Sequence, residues 1–122
     1  MNKNRTVLVA GFFDLFHSGH ARFLERAAEF GKLTVVIGSD ENSQLNKNKT
    51  PIYTQDERQY IIQSLACVSR AIVPRDTSSL NFKDILIEQR PDFFVINEDG
   101  DKPEKRAPVS YTHLTLPTIL LV

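Results

Sequence analysis

Four short segments of this chain are apolar almost throughout, where a half-wet strand would be apolar at every second position: Thr6 to Ala10, Leu33 to Ile37, Ala71 to Val73 and Asp92 to Ile96. A strand buried on both faces reads this way. Helical spacing fills the gaps between them. Ser18 to Phe30 carries Phe23, Leu24, Ala27 and Ala28 on one side and stops at Gly31, the usual residue just past a helix end. Thr54, with Glu57 three residues on, reads as a capping box opening a helix to about Ala66 that buries Tyr60, Ile61 and Leu65. A third helix is predicted over Leu80 to Gln89, and polar loops over Ser39 to Thr50 and Asn97 to Pro108. The order β-α-β-α-β-α-β predicts an α/β fold, a parallel sheet with helices on both faces. Ligands of such sheets lie beyond the carboxyl ends of the strands, near the point where strand order reverses.

Composition narrows the function classes. The chain has 122 residues, enough for one core, and its formal net charge is zero. No long-range field therefore draws it to nucleic acid or an anionic membrane, and an anion site has to be local. No apolar run approaches a membrane span. Lys3 and Arg5 before an apolar stretch imitate a signal peptide, but Asp14 and His17 interrupt it, so a cytoplasmic protein is expected. The single cysteine, Cys67, lies in an apolar stretch and reads as a core thiol, not a nucleophile.

The chemistry-bearing feature is His17-Ser18-Gly19-His20, set between the first strand with its turn Gly11-Phe12-Phe13-Asp14 and the first helix. A helix start offers unpaired N–H groups and a positive dipole end. Histidines at i and i+3 share a face, so both can donate to one phosphate chain, and Gly19 keeps bulk away from a close ligand. The stretch G-F-F-D-L-F-H-S-G-H resembles the H-x-G-H signature of the cytidylyltransferase-like nucleotidyltransferases, in particular the glycerol-3-phosphate cytidylyltransferase and heptose-phosphate adenylyltransferase types. The resemblance implies a Rossmann-like sheet. It also implies transfer of CMP or AMP from CTP or ATP to a phosphorylated small molecule, a sugar or polyol phosphate, with release of pyrophosphate.

Such a transfer needs positioning and positive charge more than a general base, because the attacking phosphate is already ionised. By resemblance His17 and His20 are catalytic, donating to the triphosphate. Gly11, Phe12, Phe13, Asp14 and Gly19 form the nucleotide-binding turn, with backbone N–H groups of Phe12 and Phe13 on the phosphates and their rings packed inward. Asp14 either orients the turn or touches substrate. Leu45-Asn46-Lys47-Asn48-Lys49 stands at the family's distance before an arginine, which makes Lys47 and Lys49 catalytic candidates and Arg58 a nucleotide contact. Solvated lysines, and a surface ion pair of Arg58 with Glu57 or Asp56, are the plain alternatives. Asp99 matches a family aspartate, although Asn97 stands where glycine is common. The Gly100 to Arg106 stretch is either a mark of a different substrate or a charged loop. No metal-ligating cluster is predicted in the protein; Mg²⁺ is expected on the nucleotide phosphates. Homodimers are common among such proteins.

Two features set the limits of the resemblance. Val109 to Thr118 read VSYTHLTLPT, which the codons GTC TCT TAT ACA CAT CTG ACG CTG CCG ACG encode and which resembles a sequencing-library adapter translated in frame. The expectation is a nucleotidyltransferase domain over residues 1–108, cut before its fifth strand, and a non-native tail over 109–122; a real β-strand, given the Thr, Ile, Leu and Val of the segment, is the plain alternative for the tail. The family's second signature, an R-T-x-x-I-S-S-T stretch, is absent after Arg106, so this chain is expected to be weak or inactive. A dinucleotide-binding oxidoreductase would need G-x-G-x-x-G and a P-loop G-K-[ST]; neither is present. Class I aminoacyl-tRNA synthetases share a similar His-containing signature but need far more chain. The remaining alternative is a non-catalytic nucleotide-binding module.

Overall fold

A computed structural model describes residues 5–40, 51–74, 88–97 and 118–121. Its sheet is parallel, in the order β3-β2-β1-β4-β5, from β1 (Thr6–Gly11), β2 (Lys32–Ile37), β3 (Arg70–Ile72), β4 (Phe93–Asn97) and β5 (Thr118–Leu121). The reversal of strand order falls between β1 and β4. Val7 and Leu8 sit level with Phe93 and Phe94 there, while Thr6 to Gly11 run level with Lys32 to Ile37 on the other side. A Rossmann-like α/β sheet is thus the architecture.

The uninterrupted apolar runs have the burial they predicted. Val7, Val9, Leu33, Val35, Ile37 and Val95 join one core cluster with Leu24 and Ala27 of α1 (Ser18–Ala27) and Ile62 of α2 (Gln55–Gln63). Leu8, Val36 and Phe94 point to the opposite face and are buried as well. Both described helices pack on the first face, as right-handed crossovers running in one direction along a sheet require. None of the described helices is long and apolar enough to cross a membrane.

Several expectations are corrected. A fifth strand does form, within the segment read as a tail: Thr118–Leu121 pairs with β4, with Phe94 opposite Thr118 and Asn97 opposite Leu121. A Thr-Ile-Leu-Leu segment has strand propensity whatever its origin, and the open flank of β4 accepts it. The first helix is α-helical only to Ala27 and tightens to a 3₁₀ turn over Ala28–Phe30 before Gly31. The second ends at Gln63, where Ser64 caps it. Tyr60 is 78% exposed, not buried, because Arg58 and Ile62 take the inward face of α2. The helix expected over Leu80 to Gln89 lies, but for its last two residues, outside the described residues, as do 41–50 and 98–117.

α2 also finishes one margin of the sheet. The Gln59 side-chain amide donates to the Ala71 carbonyl at 2.9 Å, and the Gln63 side-chain oxygen accepts the Ala71 N–H at 2.8 Å. These groups lie on the flank of β3 away from β2, so glutamines one helical turn apart imitate a neighbouring strand. At the middle of the sheet Asp92 ties β4 to β1, its carboxylate accepting the Thr6 N–H at 2.8 Å.

Candidate functional site

The histidine loop leaves the carboxyl end of β1 beside the strand reversal. Its backbone is unusual: Phe13 and Leu15 have φ of 55° and 52°, the left-handed region. Each such residue costs about 1–2 kcal/mol without compensation. The compensation is visible. Asp14, between them, accepts the Leu15 N–H at 3.1 Å, and its two oxygens accept the Ile52 and Tyr53 N–H groups at 2.8 and 2.9 Å. Partial burial on its own would raise the Asp14 pKa, but the three backbone N–H groups and the charge of Arg58 outweigh it and hold the carboxyl below its ordinary range.

His17 and His20 open α1 as a capping pair. The Gly19 N–H donates to His17 Nδ1 at 3.0 Å, and the His17 N–H donates to His20 Nδ1 at 3.2 Å. Serine and glutamate usually do this work. The rings stack with centroids 4.0 Å apart at 27°, and His20 also meets Phe13 edge-on at 5.6 Å and Phe16 at 5.4 Å. Because each Nδ1 accepts a backbone N–H, each neutral ring carries its proton on Nε2, at the far side of the imidazole. Two N–H donors are thereby set side by side beyond the helix start. Burial, with the charge of His17 second, lowers the His20 pKa and favours its neutral form.

Both glycines of the motif serve the protein's own side chains. A Cβ at Gly19 would stand 2.8 Å from the His17 ring, and one at Gly11 would stand 2.8 Å from the ring of Phe13. At Gly19 the missing side chain leaves room for the His17 ring. The Phe13 ring is buried in the core as predicted, and that of Phe12 lies over Gly38.

Arg58 departs furthest from expectation. The sequence suggests a nucleotide contact or a surface pair with Glu57 or Asp56, yet its side chain is 0% exposed. Its Nε donates to the Tyr53 carbonyl at 3.0 Å and its Nη1 to the Phe12 and Gly38 carbonyls at 2.9 and 2.7 Å. Nη2 pairs with Asp40 at 2.6 Å. Arg58 thus joins the loops after β1 and β2 to the entry of α2. Charge alone in the sequence points such a residue outward; nothing short of the loop geometry finds this role. Lys47, Lys49 and Asp99 lie outside the described residues, so the structure brings together His17, His20, Gly11, Phe12, Phe13, Asp14 and Gly19, with Arg58 beneath them.

Elsewhere, a recess of about 600 Å³ between Glu25, Lys32, Leu33, Cys67 and Val68 opens at the amino end of β2, away from the histidines. Cys67 is half-buried there, and burial pushes its thiol pKa up, which suits a packing thiol.

A parallel sheet with a histidine-capped helix at its strand reversal defines a nucleotidyltransferase-type α/β domain. Residues 8–116 match the family described as cytidylyltransferase-like, and the chain belongs to that family. It is 37% identical over 107 residues to the FAD synthase of Methanopyrus kandleri, an alignment covering 83% of this chain and 67% of that protein. It is 32% identical over 100 residues to the bifunctional protein HldE of Helicobacter pylori, covering 80% of this chain but only 21% of HldE. The chain therefore spans about two thirds of the archaeal relative and about a fifth of the bacterial one. A lipopolysaccharide core biosynthesis protein from Thermoplasma volcanium superposes with a TM-score of 0.83 at 26% identity, covering 97% of this chain and 96% of that one.

Proposed function

We propose that this domain transfers a nucleoside monophosphate from CTP or ATP to the phosphate of a small molecule. An oxygen of the acceptor phosphate attacks the α-phosphorus in line, a new P–O–P bond forms, the α–β bridging bond breaks, and pyrophosphate departs. The observation carrying this reading is the stacked pair of imidazoles whose Nδ1 atoms are occupied by the helix cap. Their Nε2–H groups face away from the cap and are oriented before any ligand arrives, which is what stabilising charge on a pentacoordinate phosphorus demands. No proton has to be removed from the nucleophile, in keeping with a site rich in donors.

His17 and His20 are the catalytic residues of this reading, and Gly11, Phe12, Phe13 and Gly19 shape the loop that receives the phosphates. Lys47 and Lys49 add positive charge, and Asp99 contacts the nucleotide. Imidazole N–H donors suit phosphate oxygens and not a hard cation, so Mg²⁺ is carried by the nucleotide phosphates and lowers their negative charge. The relatives' names widen the acceptor class: flavin phosphates stand beside sugar and polyol phosphates.

Pyrophosphate release measured with CTP and ATP against flavin, sugar and polyol phosphates tests the proposal. Turnover abolished by His17→Ala supports it. Nucleotide binding by calorimetry with no turnover on any acceptor would instead identify a non-catalytic nucleotide-binding module.

A further inference from the structure

The geometry points to Asp14 as a positioning residue for this transfer, one that fixes the place of the histidine loop by clamping the entry of α2 against it. The inference rests on the functional reading above. A carboxylate three residues before His17 is an unexpected neighbour for a triphosphate, since like charges repel. Its surroundings resolve the difficulty. Both oxygens are engaged by backbone N–H groups, from Leu15 within the turn and from Ile52 and Tyr53 at the foot of α2. The lone pairs of the carboxylate are thus already taken up by the protein's own backbone.

Two further facts give the clamp its direction. Arg58 closes the same contact from beneath, one guanidinium holding the Phe12 carbonyl at 2.9 Å and the Tyr53 carbonyl at 3.0 Å. Acid and base therefore grip adjoining residues of the same two segments. The strand order places α2, which follows β2, on the β2 side of the histidine loop, whereas the strand reversal lies on its β4 side. The clamp therefore buttresses the loop from behind and leaves the crevice open. The left-handed residues flanking Asp14 are backbone conformations that persist only where the surroundings enforce them, and the carboxylate is what enforces them.

The full chain carrying Asp14→Asn tests this. The substitution is isosteric and still accepts one or two N–H groups, so it stays folded even where Asp14→Ala does not. Amide exchange at Ile52 and Tyr53 is expected to quicken about tenfold or more as a charge-assisted acceptor is lost. Affinity for CTP and ATP by calorimetry is expected to fall about tenfold, with cytidine and adenosine unaffected, because only the phosphates depend on the loop. Unchanged exchange at both amides overturns the clamp, and quicker exchange with unchanged triphosphate affinity overturns its role in the site. A parent chain that binds neither triphosphate sinks the functional reading instead, and the exchange arm still decides whether Asp14 holds the segment.

Discussion

Replacing Arg58 by leucine removes a fully buried guanidinium and leaves the carbonyls of Phe12, Gly38 and Tyr53 without its N–H groups. Breaking a buried ion pair by deleting one partner costs about 3–5 kcal/mol, and an acceptor stripped of its donor about 1–3. Asp40 is 42% exposed, so water recovers part of its solvation and the ion-pair loss belongs at the low end. The carbonyls sit in loops that water reaches once the side chain is gone. A total near about 4 kcal/mol follows, close to a melting point lower by about 12–20 °C for a chain of this length. Arg58→Lys keeps the charge but not the planar fork and should lose about half as much. Urea unfolding followed by circular dichroism reads both. A ligand-contacting arginine would behave in the opposite way, leaving stability nearly untouched and weakening nucleotide binding. Leucine at this position costing under about 1 kcal/mol would refute the buried junction.

Other outcomes follow from the same geometry. His17→Ala and His20→Ala should each lower pyrophosphate release by about 10²–10³ and stability by about 1 kcal/mol through the lost cap; kcat/KM kept within threefold would count against the pair. The lowered pKa of His20 means the unfolded chain takes up a proton first on acidification. Its contribution is present above the ordinary value of 6.5 and is lost as pH falls through the lowered folded value, so the urea midpoint should drop in that window and His20→Phe should flatten the drop. Gly38→Ala drives a methyl into the Phe12 ring and should cost about 1–3 kcal/mol, measured by thermal melting, with little effect if that ring turns aside freely.

The strands were legible because a buried parallel strand leaves an uninterrupted apolar signature, and β1, β2, β3 and β4 fall within a residue or two of where that signature lies. The histidine pair was legible too, since spacing alone puts i and i+3 on one helical face. What the spacing did not reveal is that each Nδ1 would be engaged by the backbone, a consequence of His17 occupying the N-cap position itself. The burial of Arg58 is not legible because a lone charge is ordinarily a surface residue, and only the approach of three separate carbonyls makes an interior site for it. Tyr60 fails for a related reason. With Gln59 and Gln63 turned to β3 and Arg58 and Ile62 turned inward, the face left to the tyrosine is the outer one. The pairing of Thr118–Leu121 follows the strand propensity of that segment, because pairing responds to propensity and not to the origin of the residues.

The side-chain amides seated along β3 have a consequence for how copies of this protein could meet. A bare margin of a parallel sheet invites another chain to zip onto it, extending the sheet from molecule to molecule. Here a newcomer approaching Ala71 would first have to displace two amide groups already in bonding position. At Ala71, strand-by-strand growth from one molecule to the next is therefore opposed for as long as those amides stay seated.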